Sequence, residues 1–319
     1  MHAIIVEDEQ SLVWTEVPDP VPEDDAIIID VHATAVNRAD LMQRAGDYPP
    51  PIGWPEWMGL EAAGVVSHAL DDSRWELGDR VCALLGGGGY AERVAVPAGL
   101  ALPVPDGLSM AEAAAIPETF ATSYLNLCME GGLGAGDTVL IHAGASGLGT
   151  SAIQLVKTLG GTVLTTVGTD EKVEFVRDLG ADIAINRVTH DLVATLEEHP
   201  VDIALDCIAG DQLGRCIEKM ATGGRWIVIA TLGGAMTKLD MNLFFRRGIR
   251  LIGSTLRSRS PEVKAEILSG LEDTLWEAFA SGAVRPIIHA TLPITEAEEA
   301  HAILQRRENR GKVILTVPR

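Results

Sequence analysis

Long apolar runs are missing from this chain. No stretch reaches about 18 uninterrupted apolar residues, which argues against a membrane-spanning helix. Cysteine is scarce: Cys82, Cys128, Cys207 and Cys216 are the four among 319 residues, and none forms a C-x-x-C pair. Spacing this wide, in apolar or helical surroundings, reads as buried free thiols and excludes a disulfide framework. An excess of basic residues is also lacking. Asp and Glu number 45 against 25 Lys and Arg, a formal net charge of −20. Neutralising phosphates needs clustered cations, so non-specific nucleic-acid binding is excluded, and the acidity reads as a solvated surface. The opening "MHAIIVEDEQ" has no basic segment followed by an apolar one, so no secretory signal is expected and a cytoplasmic location is the simple reading. There is no internal repeat and no low-complexity linker.

What the chain does have is two rhythms. Its 319 residues and 47% hydrophobic content are enough for two cores. From 1 to about 118, short runs such as "AIIIDVHATAVN" and "AAGVVSHAL" alternate apolar with polar residues between Pro and Gly clusters, predicting a mostly β domain. The run Gly86-Gly87-Gly88-Gly89 precedes a strand-like segment and not a helix, so a tight, mobile turn is expected there and not a phosphate cradle. At Ser109 the pattern changes: Ser109 and Glu112 have capping-box spacing, and an Ala-rich helix should follow. Then come apolar run, Gly-rich turn, amphipathic helix and apolar run, a βαβ unit, with further strand-like runs at "DIAIN", "VDIALDCI", "GRWIVIAT" and "RLIGSTL". Continuous apolar strands of this kind predict a parallel α/β sheet covered on both faces. After about 262 comes a helix with spacing near 3.6, then strand, helix and strand, read as a return to the first domain. The α/β domain is therefore expected to be an insertion in a discontinuous partner.

The Gly-rich turn carries the strongest signal. Gly144-Ala145-Ser146-Gly147-Leu148-Gly149 follows the strand "TVLIHA" and opens the helix "TSAIQLVKTLG". In the dinucleotide fingerprint the first glycine permits the turn, the second admits the pyrophosphate and the third lets helix and strand pack closely. Here Ser146 stands at the middle position, small enough for approach and able to donate to phosphate. The helix N-terminus offers free N–H groups. At the end of the second strand, where an NAD site places a carboxylate, stands Gly168. Thr169 offers a hydroxyl, Lys172 a cation, and Arg187 follows the third strand. This set favours NADPH, while Asp170 and Glu171 push the other way.

Taken together, "NRADLMQRAGDYPPP", "GLEAAG", "AAAIPETFATSY", "HAGASGLGTSAIQL", "STLRSRS" and "GKVIL" resemble the medium-chain dehydrogenase/reductase superfamily. The likeness is to its zinc-independent, zeta-crystallin-like quinone oxidoreductase branch, within it to the subgroup of the tumour-suppressor-inducible quinone oxidoreductase, and it covers essentially the whole chain. The resemblance implies a GroES-like catalytic domain formed by 1–118 and 263–319 and a Rossmann domain at 119–262. In zinc-dependent relatives a Cys, a His-Glu pair and a further Cys or acidic residue hold the catalytic metal. Here Asn37 and Leu60 stand at two of those positions. Glu61 and Asp40 survive and Glu118 lies near the third, a poor zinc site. Glu61 then reads as a structural charge partnered by Arg38 or Arg44. The resemblance places Asn37 and Tyr48 beside the substrate and Thr122 near the nicotinamide; capping a turn, packing beside Pro49 and backbone bonding are their bland alternatives. It implies an NADPH-dependent reductase of quinones or activated enones, with an enoyl or 2-haloacrylate-type C=C reductase and a non-catalytic, crystallin-like NADPH-binding protein as rivals. A homodimer through the edge strand at 250–256 is expected, since a bare apolar edge invites aggregation.

Overall fold

Alternation of apolar and polar residues builds the N-terminal sheet of the computed structural model, which describes residues 1–318. The chain opens with β1 (His2–Val6) and β2 (Leu12–Glu16), paired antiparallel. Next come β3 (Ala26–Val36), α1 (Arg38–Arg44), β4 (Glu61–His68), β5 (Arg80–Leu84), β6 (Arg93–Pro97) and β7 (Ala101–Pro103). The long β3 is the hub, pairing with β4 along one edge and β6 over part of its length. Its side chains Ile27, Ile29, Val31, Ala33 and Ala35 are buried, at the period of two that a half-buried strand requires.

The four glycines 86–89 are buried, not a mobile turn. The Trp54 ring lies where a side chain would be: a Cβ on Gly86 would come within 2.6 Å of it. The Ser109 capping box is present, with the Ser109 amide donating to Glu112 Oε2 at 2.8 Å. The helix it opens, α2 (Met110–Ala113), is only one turn long. Pro117 ends it, because proline disfavours helical geometry in the residue before it. The same proline opens α3 (Pro117–Tyr124), where a missing N–H costs nothing. A π-helical turn, Leu125–Glu130, continues α3, and no local pattern in the sequence signals it.

The second rhythm gives β8 (Thr138–Ile141), α4 (Gly147–Thr158), β9 (Thr162–Val167), α5 (Asp170–Asp178), β10 (Ile183–Asn186), α6 (Leu192–Glu198), β11 (Ile203–Asp206), α7 (Gly210–Ile217), β12 (Arg225–Val228), α8 (Met241–Arg246) and β13 (Arg250–Gly253). All six strands are parallel, in the order β10-β9-β8-β11-β12-β13. Numbered from the first strand this is 3-2-1-4-5-6, the doubly wound dinucleotide-binding order. Leu140, Leu164, Ala204 and Trp226 are buried in its core. The chain closes with α9 (Pro261–Ser281), β14 (Ile288–Pro293), α10 (Ala297–Gln305) and β15 (Lys312–Thr316). The last strand inserts between β14 and β3, giving the order β14-β15-β3-β4-β5-β7.

The chain divides into two compact units, 1–121 with 256–319, and 122–255. The expected boundaries, 118/119 and 262/263, fall a few residues away: the first break lies within α3, and the second follows β13 directly. None of the four cysteines is in a disulfide; Cys82 and Cys216 are buried, Cys128 and Cys207 half-buried.

Candidate active site and cofactor cradle

Three strand ends meet in the first unit. β15 pairs with β3 so that Val313 faces Val36, and β3 pairs with β4 so that Thr34 faces Ala62. Lys312 before Val313, Asn37 after Val36 and Glu61 before Ala62 therefore converge. The Lys312 ammonium donates to Val36 O at 3.1 Å, Asn37 Oδ1 at 2.6 Å and Glu61 Oε1 at 2.6 Å. Three donors find three acceptors. Glu61 is fully buried and Lys312 nearly so. The other oxygen of Glu61 accepts from the Glu118 amide at 2.8 Å, at the start of α3, where a helix favours negative charge.

Glu61 is thus a structural charge, but its partner is Lys312. Arg38 donates instead to Leu304 O, and Arg44 to Glu298. Asn37 spends both sides of its amide here. Its nitrogen donates to Ala35 O and Glu61 Oε1, so the side chain orients the charge pair rather than offering a donor to a substrate. Its backbone N–H donates to Asp40 Oδ2 at 2.7 Å, which starts α1. Asp40 also accepts from Gly59 N and the Tyr90 hydroxyl, and that hydroxyl meets His301 Nε2 at 3.2 Å. Burial pushes the Asp40 carboxyl up to about 6 and the His301 imidazole down to about 4.

Leu60 is buried beside this cluster. Among the described residues, no group of three or more His, Cys, Asp or Glu side chains is arranged to hold a metal ion. Glu118 stands half-buried near the missing ligands, its carboxyl raised to about 8 by burial first and by the Glu61 charge second. Tyr48 lies within electrostatic reach of it, and burial raises the phenol. Arg257 anchors Tyr48, donating to its carbonyl at 3.0 Å with the guanidinium 4.9 Å above the ring centroid.

The second unit holds the other predicted residues. A Cβ on Gly144 would meet Thr165 Oγ1 at 2.1 Å, and one on Gly149 would meet Ala143 O at 2.4 Å, so neither position admits a side chain. Ala143 is held at φ 56°, strain of the kind that tight functional turns carry. Ser146 caps α4, its hydroxyl accepting from Gly149 N at 3.0 Å while its own hydrogen stays available. That leaves the partly exposed amides of Gly147 and Leu148, N1 and N2 of the helix, directed at a ligand. These features fit a dinucleotide pyrophosphate. Thr169 caps α5 by accepting from Lys172 N. The Arg187 guanidinium lies 3.5 Å from where a Gly168 Cβ would stand. Asp170 Oδ1 accepts a 2.8 Å bond from Asn186 Nδ2, which occupies part of its carboxylate. Thr122 is half-buried, its carbonyl accepting from Asn126 Nδ2, and the neighbouring Ser123 meets Ser151 of α4 at 2.8 Å. Thr122 is thereby held beside the cradle helix.

Residues 23–106 match the family model described as an alcohol dehydrogenase GroES-like domain, and 147–271 the one described as a zinc-binding dehydrogenase. A crystal structure of a probable oxidoreductase from Mycobacterium abscessus is 32% identical, with 99% of each chain covered and a TM-score of 0.83. The quinone oxidoreductase from Thermus thermophilus, solved alone and with NADPH, is 30% identical over 99% of this chain and 100% of that one, with a TM-score of 0.81. The chain belongs to the medium-chain dehydrogenase/reductase superfamily. It is also 31% identical, over 96% of its length, to the lovastatin diketide synthase of Aspergillus terreus, of which it spans only 12%.

For a member of this superfamily the sequence shows most of the cradle and little of the charge pair. Lys312 and Glu61 are 251 positions apart, and only the closing motif "GKVIL" signals the lysine. Arg257 sits likewise inside "STLRSRS" without showing its contacts.

Lys312→Met should leave a buried carboxylate without its cation and cost about 3–5 kcal/mol. Adding Glu61→Gln should recover most of it. Chemical denaturation of the two single variants and the double variant measures the coupling. Additive losses would show that the pair does not hold the site.

Proposed function

We propose that this protein is an NADPH-dependent, zinc-independent reductase of quinones or activated enones, of the zeta-crystallin-like branch and the tumour-suppressor-inducible subgroup. The observation that carries this reading is the Lys312 ammonium, saturated by Asn37, Glu61 and Val36 where metal-dependent relatives gather ligands. With Asn37 and Leu60 in place of sulfur and imidazole, the donor set suits no zinc ion. An acceptor used here must take hydride without a Lewis acid, as quinones and conjugated enones do.

Bound NADPH supplies the hydride. The residues of the chain hold and orient. Gly144 and Gly149 let the backbone approach the pyrophosphate, and Ser146, Gly147 and Leu148 offer it donors. Thr122 supports the nicotinamide. Arg187 lies over Gly168 to meet the 2′-phosphate, with Thr169 and Lys172 beside it. Tyr48, held by Arg257, hydrogen-bonds the acceptor oxygen. A second acceptor class for the same metal-free chemistry is the activated C=C bond of an enoyl or 2-haloacrylate-type substrate.

The edge strand β13 supports a homodimer. Leu251 in it is 41% exposed, and Leu232, Met236, Met241 and Phe245, in the segment before it, are 53%, 82%, 59% and 65% exposed. A two-fold mate pairing along β13 would cover the edge. Light scattering at micromolar concentration should give twice the 33.9 kDa chain mass, and a value near 33.9 kDa would refute the dimer.

Turnover of 1,4-naphthoquinone and of a conjugated enone should proceed with NADPH preferred over NADH. Charge-assisted bonds of roughly 1.5–3 kcal/mol each correspond to about ten- to a hundredfold in kcat/KM. Arg187→Ala and Lys172→Ala should each narrow the gap. Equal use of NADH by the wild type, or no narrowing by either substitution, would overturn the cofactor assignment. NADPH binding without turnover of any acceptor would favour a non-catalytic protein.

A further inference from the structure

The first unit contains a second buried lysine, and it lacks what Lys312 has. Lys264, in the first turn of α9, is 2% exposed. Among the described residues no oxygen accepts a hydrogen bond from its ammonium and no carboxylate pairs with it. Its closest specific partner is the Trp54 ring, whose centroid lies 5.7 Å from Nζ. The stem is buried while the ammonium keeps a solvent-accessible tip, so a donor without a protein acceptor stays open to an incoming ligand.

The surroundings show what is missing. Arg257 has committed each of its three nitrogens: it donates to Gly86 O at 2.8 Å, Tyr48 O at 3.0 Å and Gln43 Oε1 at 2.6 Å, which leaves two of its five N–H groups. Glu118 lies close enough to attract the Lys264 charge, yet the two form no ion pair. The Glu118 carboxyl likewise makes no hydrogen bond among the described residues. A lysine and a carboxyl therefore lie within electrostatic reach of one another with no bond between them, and Tyr48 lies within reach of the same carboxyl. The arrangement suits an oxygen atom that enters from outside. Burial lowers the ammonium from the usual lysine range while the Glu118 charge holds it up.

We infer that Lys264 is a catalytic residue that donates a hydrogen bond from its ammonium to the acceptor's oxygen, doing for a carbonyl what a metal does in zinc-dependent relatives. The inference rests on the reductase reading above. In the step it would serve, a C–H bond of the bound nicotinamide would break and its hydride would form a bond to an acceptor carbon. The electron pair of the conjugated system moves onto the oxygen, and a proton from water completes the reduction. Lys264 stays protonated throughout, and the negative charge grows beside it. A donor aimed at developing charge strengthens its bond in the transition state and so acts on kcat. Acceptors with an oxygen conjugated to the reacting carbon are the class this predicts.

The test uses Lys264→Met and Lys264→Arg in the full chain, with two readouts. The first is steady-state reduction of 1,4-naphthoquinone with NADPH. Lys264→Met should lower kcat and kcat/KM together by about ten- to a hundredfold with little change in KM, and Lys264→Arg should restore part of the loss. Tm of Lys264→Met should stay close to that of the wild type, since no protein acceptor loses a hydrogen bond. The second readout is 4-nitrophenol titrated into cofactor-free protein and followed by absorbance. Wild type should hold the dye as its yellow phenolate at a pH where the free dye is largely protonated, and Lys264→Met should not. Wild-type kinetics in Lys264→Met would overturn the inference, as would a loss of activity that tracks a fall in Tm. If the wild type reduces no acceptor, the reductase reading fails. The dye then decides separately: a phenolate that depends on Lys264 supports the oxyanion role, and its absence overturns it.

Discussion

Two opposite charges buried together set the terms for the first unit. Removing Glu61 and Lys312 from water is expensive, and their attraction offsets that cost only if every donor and acceptor is matched. Here they are matched: three ammonium hydrogens meet three oxygens, and the carboxylate oxygen left over takes the first amide of α3. The match fixes the ends of β3, β4 and β15 against one another and sets the start of α3. It also uses up the Asn37 side chain. What is left for chemistry is Glu118, Tyr48 and Lys264, with Arg257 holding Tyr48 in place.

That division has a functional consequence. A metal polarises a substrate by direct coordination and needs open ligand positions. A saturated ammonium offers none. The charge pair is the frame and the unsaturated Lys264 is the working cation, so two lysines of similar burial have different tasks. The difference lies in their partners: three oxygens around one, an aromatic face beside the other.

Local features are legible in the sequence and long-range pairings are not. The strand-turn-helix rhythm identifies the dinucleotide unit because Gly144, Ser146 and Gly149 are neighbours in the chain and each answers a local steric demand. The return of the C-terminal segment to the first unit is readable from its strand-helix-strand pattern. The partner of Glu61 is not readable, because the arginines nearest to α1 in sequence are drawn to other acceptors, Leu304 O and Glu298. Gly86–Gly89 looks like a loose turn because nothing local shows that Trp54 packs on it. The helix after Ser109 is short because a correct cap starts a helix without setting its length; Pro117 sets that.

We propose that an internal ammonium, and no metal, completes this site. Elemental analysis of the purified active protein, before and after exhaustive chelation, with quinone reduction followed in parallel, tests that claim most directly. The expected result is far less than one zinc per chain and a turnover unchanged by chelation. One zinc per chain, lost together with activity and restored with it, would contradict the claim.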